Sequence, residues 1–246
     1  MRKRNRQLLL IGASSIVLLI GVILISKGMS HLRNGQDDTS EGLAIIQAAE
    51  EADIKKIEEK IDKLNTKEEK NTQNIKSRFS SVVVMGDSIT EALVEYDILS
   101  PSSVVSEIGI RLDQVEEAID TAVGLQPKII FLSYGMNDVL ATQGDTEKFT
   151  RQYAEVVDSL KEQLPNTTIF VNSIFPVSKV KSEEEPLFQE IPKYNEALQE
   201  MCDKKNIAFV DNTILASEQY YEEDGVHFKA NFYSLWIKRM AEVAAL

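Results

Sequence analysis

From Ser81 onward, short β-branched runs alternate with longer stretches of helical spacing, and this alternation restricts the possible folds more than any other feature of the chain. Two parallel strands need a crossover between them, usually a helix, so the pattern predicts a parallel sheet covered by helices on both faces. Five runs read as strands: Ser81–Met85, Val104–Ile108, Lys128–Tyr134, Thr168–Ile174 and Ile207–Asp211. The third, KIIFLSY, is almost continuously apolar, as suits a central strand buried on both sides. Helical periodicity covers Leu112–Gly124, Thr146–Leu164, Ile191–Lys204 and Lys229–Ala244, and Gly124 with Pro127 supplies a stop for the first. Right-handed crossovers then close a flavodoxin-like three-layer α/β/α sandwich with a five-stranded parallel sheet over residues 79–246. Such sheets bind ligands beyond the carboxyl ends of their strands.

Upstream of that domain the chain changes character. Leu8 to Ser26 is an uncharged apolar run that, as a helix, would span roughly 28 Å, about the hydrocarbon thickness of a bilayer. Arg2, Lys3, Arg4 and Arg6 precede it and only Lys27 and Arg33 follow closely, so the basic tail 1–7 is expected in the cytoplasm and everything after residue 30 outside. A cleaved signal peptide is the alternative, but its apolar region is usually shorter, and Gly28-Met29-Ser30 is a poor exit for a signal peptidase. Residues 27–78 read as a linker followed by a helical stalk: NGQDDTS is turn-rich, and Ile54, Ile57, Ile61 and Leu64 give a narrow apolar seam among Glu and Lys. That seam fits either self-association through a short coiled coil or a spacer helix resting on the domain.

Charge and cysteine usage remove whole classes of function. The first 40 residues hold six Lys/Arg against Asp37 and Asp38, leaving a strongly acidic remainder in a chain of net charge −12. Such a surface repels a phosphate backbone, so no nucleic-acid partner is expected. Cys202 is the only cysteine, which excludes an intrachain disulfide and a dithiol redox motif. With two histidines and one cysteine there is no cluster to organise a transition metal, and no metal or organic cofactor is implied.

The residues that carry chemistry stand at predicted strand ends. Gly86-Asp87-Ser88-Ile89-Thr90 follows the first strand, where a serine on a tight strand-to-helix turn meets the free N–H groups and positive dipole end of a helix. An ordinary helix cap has the same composition. A serine alcohol needs a base, and of the two histidines His31 lies in the linker, leaving His227. Asp224 precedes it by three residues across Gly225 and can fix the tautomer that leaves Nε2 free, although an incidental Asp-Gly turn fits too. Gly135-Met136-Asn137-Asp138 follows the central strand, where the Asn137 amide is a candidate oxyanion donor or a turn residue. Gly109, at the end of the second strand, offers a backbone N–H or simply a bend.

Taken in order, GDSIT at Ser88, EIGIR at Gly109, GMND at Asn137 and DGVH at Asp224 and His227 resemble the four blocks of the SGNH/GDSL hydrolase family across residues 80–246. EIGIR matches through its glycine alone. The resemblance implies an α/β serine esterase with Ser88 as nucleophile, Asp224 and His227 completing a triad, and Ser88, Gly109 and Asn137 as the oxyanion hole. It also implies acylated carbohydrate or lipid as substrate. Combined with the expected anchor, this reads as an extracytoplasmic esterase removing acyl groups, O-acetyl first, from cell-envelope carbohydrate. O-acyl transfer to surface polysaccharide or peptidoglycan, lipase or lysophospholipase action, and a catalytically silent binding module are the alternatives. The charged, proline-bounded segment Val177–Pro192 reads as a surface loop or a lid, and Tyr220, Tyr221, Phe228, Phe232 and Tyr233 as core or pocket lining.

Overall fold

The computed structural model describes residues 73–246. The expected basic tail, the apolar run 8–26 and the linker and stalk up to residue 72 lie outside the described residues. Among the described residues no helix is long and apolar enough to cross a membrane.

Five strands form one parallel sheet: β1 (Val82–Gly86), β2 (Val104–Ser106), β3 (Ile129–Ser133), β4 (Thr168–Asn172) and β5 (Ala208–Val210), in the order β2-β1-β3-β4-β5. Every residue of β1 is buried, as is the middle of β3, which explains their unbroken apolar sequences. Seven α-helices follow the strands: α1 (Ser88–Glu95), α2 (Glu116–Leu125), α3 (Met136–Thr142), α4 (Thr146–Gln163), α5 (Lys179–Glu184), α6 (Ile191–Lys205) and α7 (Ala230–Val243). After β2 the chain crosses the sheet in the opposite sense, from β2 over β1 to β3 and on to β5, and right-handed crossovers then put α2, α4 and α6 together on one face, where α4 touches both of its neighbours. On the other face, Tyr233 of α7 packs against Tyr96 at the end of α1.

Each long helix buries one stripe. On α4 it is Phe149, Tyr153, Val156, Val157 and Leu160, and Asp145 caps the start by accepting the Lys148 N–H. On α7 it is Phe232, Tyr233, Trp236, Ile237, Met240 and Ala241. Phe175, which follows β4, meets Phe228, Phe232 and Trp236 edge-on, locking the segment before α7 onto the end of the sheet.

Several boundaries differ from the sequence expectation. β2 stops at Ser106 rather than Ile108: Gly86, the partner of Ser106, is the last residue of β1, and beyond that pair the Glu107 N–H still reaches the Gly86 carbonyl at 3.3 Å before the two chains part. Gly109 therefore lies in a loop beyond the strand, not at its end. Gly124 sits inside α2; the helix stops at Gln126, which takes the left-handed conformation just before Pro127. Asn137 belongs to the first turn of α3, a helix absent from the four that the sequence periodicity predicts. The segment 177–192 is folded as well, forming α5, a 3₁₀ turn at Pro186–Glu190 and the start of α6.

Candidate active site

Three chain segments converge beyond the carboxyl ends of β1, β2 and β3. At the first, Gly86 ends β1 with no room for a side chain: a Cβ there would lie 2.1 Å from Thr90 Oγ1 and 2.7 Å from the Ser133 carbonyl oxygen. That close approach turns the backbone straight from strand into α1 and leaves Ser88 as its first residue. Asp87 caps α1, accepting the Ile89 N–H at 3.0 Å. The Ser88 N–H itself has no hydrogen-bond partner among the described residues, and it faces outward with the positive end of the helix dipole.

The second segment carries Asp224 and His227. Asp224 Oδ1 accepts the N–H groups of Val226 and His227 at 2.8 and 2.9 Å, while its Oδ2 lies 2.6 Å from His227 Nδ1. One carboxylate thus shapes the turn and orients the ring together. Gly225 completes the turn at φ +71°, where a Cβ would strike Ser178 Oγ at 2.2 Å, and its carbonyl accepts the Ser178 N–H at 2.8 Å. Tyr221 reaches across to the Pro176 carbonyl at 2.8 Å. The loop that follows β4 therefore straps the histidine turn in place. His227 Nε2 lies 2.8 Å from Ser88 Oγ, which joins Ser88, His227 and Asp224 into one hydrogen-bonded line.

The electrostatics give that line a direction. A carboxylate only accepts, so Nδ1 carries the proton on the Asp224 side, and the Nε2 lone pair is left to accept the Ser88 hydroxyl proton. Partial burial pushes the Asp224 carboxyl upward, but the hydrogen bonds from the His227 ring and from the Val226 and His227 N–H groups outweigh it and hold the group below the usual carboxylate range. Asp224 therefore stays ionised, ready to balance a positive imidazolium. Asp87 behaves oppositely: burial raises it to about 6, against the pull of the Ile89 N–H and of His227.

The third segment is α3 and the loop it touches. Asn137 Nδ2 donates to the Ile110 carbonyl at 3.0 Å, which occupies one amide proton and leaves the second for the crevice. Gly109, exposed at φ +76°, has an N–H without a hydrogen-bond partner among the described residues. Sequence reasoning assigned no part to Asp138, which is buried, accepts the Leu112 N–H at 3.0 Å, and has its pKa raised to about 6 by burial. It also overlooked Asn195, whose amide pairs with both the N–H and the carbonyl of Ile174 and pins the exit from β4. Nothing in a one-dimensional pattern marks either residue as buried.

Of the aromatic residues flanking His227, Tyr221, Phe228, Phe232 and Tyr233 are buried in the core, and Tyr220 is partly so. Phe228 stacks flat on Phe232 at 3.8 Å between ring centroids. A small cavity of about 10 Å³, roomy enough for one water, is lined by Asp87, Ser133, Tyr134 and Ser173 with apolar neighbours. A larger groove of about 780 Å³ between α4 and α6 contains none of the residues of the line.

A parallel α/β sandwich with a serine, an imidazole and a carboxylate aligned beyond its strand ends defines a hydrolase of the serine type. Matching to family models places residues 84–235 in the GDSL-like Lipase/Acylhydrolase family. The chain belongs to that family, and it is a hydrolase of acyl esters. Solved structures share the fold at low identity. A GDSL-like lipase from Bacteroides thetaiotaomicron is 19% identical with a TM-score of 0.55, over 67% of this chain and 88% of that one. A carbohydrate esterase family 3 protein from Talaromyces cellulolyticus is 15% identical with a TM-score of 0.53, over 67% and 95%. A variant of an acetyl-xylooligosaccharide esterase from Geobacillus Stearmophilus is 15% identical with a TM-score of 0.51, over 65% and 92%. No curated protein matches the sequence.

Proposed function

We propose that this protein is a serine esterase that removes O-acetyl groups from cell-envelope carbohydrate, using Ser88 as nucleophile, His227 as general base and acid, and Asp224 to orient and charge-balance the imidazole. The observation that carries the chemistry is the unbroken line from Asp224 Oδ2 through His227 to Ser88 Oγ, at 2.6 and 2.8 Å. In the first half-reaction Ser88 Oγ bonds to the ester carbonyl carbon as its proton passes to Nε2, and the carbonyl electrons move onto oxygen. The N–H groups of Ser88 and Gly109 and the spare proton of the Asn137 amide surround that oxyanion. The intermediate collapses, the C–O bond to the alcohol breaks, and the imidazolium returns the proton to the departing oxygen. Water repeats the sequence on the acyl-serine, releasing the carboxylic acid and restoring Ser88.

The substrate assignment rests on access. Ser88 is half-buried, and the His227 and Asp224 side chains keep 41% and 51% of their exposure, so the reacting atoms lie at the surface rather than down a tunnel. A long acyl chain gains its binding energy from burial, at about 0.8 kcal/mol per CH₂, and reacting groups this exposed offer little of it. A small acyl group on a bulky, solvated alcohol fits an open crevice. The carbohydrate and acetyl-xylooligosaccharide esterases that share the fold are consistent with such a substrate. The apolar run 8–26 supports a single-span anchor with the N-terminus in the cytoplasm and the domain outside, within reach of envelope polymers.

Turnover of p-nitrophenyl acetate by the full chain, together with labelling by a serine-reactive fluorophosphonate, tests the chemistry. Both are expected in the wild type and absent in Ser88→Ala; equal turnover in the variant would overturn it. Mass spectrometry of acetylated envelope polysaccharide, before and after incubation, tests the substrate. An unchanged acetyl content alongside active p-nitrophenyl acetate hydrolysis would rule out the carbohydrate assignment alone.

A further inference from the structure

An oxyanion donor works only if it is held to within about 0.5 Å of its productive position, and of the three donors named above Gly109 is the one carried by an exposed loop. A Cβ added at Gly109 would meet nothing within 4 Å, so side-chain packing does not fix that position. The loop's own backbone bonds are long: Glu107 N–H to the Gly86 carbonyl at 3.3 Å, and Ile110 N–H to the Glu107 carbonyl at 3.4 Å. Its shorter bonds to the rest of the domain go to two adjacent residues of α3. The Asn137 amide takes the Ile110 carbonyl at 3.0 Å, and the Asp138 carboxylate takes the Leu112 N–H at 3.0 Å.

We propose that Asp138 is a positioning residue that fixes the oxyanion donor of Gly109 by gripping the backbone at Leu112. The proposal rests on the serine-esterase reading. Asp138 is 2% exposed and its Oδ2 has no hydrogen-bond partner among the described residues, so the carboxylate is kept in the interior for a single acceptor bond. Burying a polar acceptor that deeply for one bond is a costly way to close a loop, and a Ser or Thr side chain near the surface would serve an ordinary turn. α3 carries Asn137 and Asp138 side by side, so one rigid element presents one oxyanion donor directly and aligns another through the loop.

The test measures kcat and KM on p-nitrophenyl acetate for full-length Asp138→Ala, Asp138→Asn and Leu112→Pro beside Ser88→Ala. Alanine removes the acceptor, and its kcat is expected to fall by about tenfold or more with KM within about threefold, as when an oxyanion donor is misplaced. Asparagine keeps an oxygen at the Oδ1 position and is expected to hold kcat within about threefold of wild type. Proline at 112 deletes the donated N–H instead. It stands at the first position of a 3₁₀ turn after the extended Arg111, where proline is tolerated, so it tests the same bond if the alanine variant does not fold. Wild-type kcat in Asp138→Ala or in Leu112→Pro would overturn the proposal, as would an Asp138→Asn enzyme as impaired as Asp138→Ala. Activity surviving in Ser88→Ala would strike down the esterase reading itself, a separate outcome.

Discussion

Replacing Asp224 with asparagine keeps the shape of the side chain and reverses the direction of the hydrogen-bonded line. Asp224 Oδ1 serves two N–H groups, at 2.8 and 2.9 Å, and Oδ2 serves His227 Nδ1 at 2.6 Å. An asparagine must choose between these duties. With its oxygen on the two backbone N–H groups, its NH₂ faces Nδ1, which then must accept; the ring proton moves to Nε2 and points at Ser88, so the base is lost. With its oxygen on Nδ1, the tautomer is correct, but both backbone bonds are lost and donors face donors. Two such bonds at about 1 kcal/mol each, plus the donor clash, favour the unproductive arrangement by about 2–3 kcal/mol, or roughly 30- to 150-fold. The carboxylate charge that would balance the imidazolium is also gone. At a half-exposed site that loss costs about 1–2 kcal/mol, a further 5- to 30-fold or so.

Together these place the fall in kcat for Asp224→Asn between about 100-fold and several thousand-fold, below the ~10⁴ expected where the aspartate of a serine triad is fully buried. KM for p-nitrophenyl acetate should move little, since Asp224 orients His227 and not the ester. Raising the pH does not restore the enzyme, because the error is one of tautomer and not of protonation. An Asp224→Asn enzyme within about fivefold of wild-type kcat, or one rescued between pH 6 and 9, would refute the tautomer argument.

Other perturbations reach different parts of the site. Asn137→Ala removes the amide proton available to the oxyanion and also frees the Ile110 carbonyl; kcat on an acetyl ester is expected to fall by about 10²–10³, and a fully active variant would exclude Asn137 from the oxyanion hole. Stability should rise as the pH is lowered from 7 to 5: Asp87 and Asp138 sit near 6 in the fold against 3.8 ordinarily, so the folded chain holds more protons than the unfolded one across that window, and the gain is lost again as pH rises through 6. Each two-unit shift corresponds to at most about 3 kcal/mol. Denaturation midpoints at both pH values check this; Asp87→Asn should be more stable than wild type at pH 7 and gain less on acidification, and a wild-type midpoint that does not move would count against both shifts.

The parts of this molecule that a linear reading reaches and misses are separated by neighbourhood more than by motif strength. The strands were legible because apolar runs bounded by turns have few other uses, yet β2 ends early for a reason located in β1: Gly86 is the partner of Ser106, and the chain beyond Gly86 has already become a helix. Helix α3 was not legible, since MNDVLAT carries neither a long stripe nor a cap signal, and α4 and the 3₁₀ turn at Pro186–Glu190 supply its environment. Separation along the chain did not decide the matter. Ser88 and His227 stand 139 residues apart, and they could still be paired from the sequence, because a serine needs an imidazole and only two exist. Asp138 and Leu112 are 26 apart and could not be, because Asp138 is one of 39 acidic side chains, nearly all of which belong in water. Scarcity makes a functional partner visible in one dimension; where the residue type is common, only burial distinguishes the acid that shapes the site from those that solvate the surface, and burial is a property of the fold.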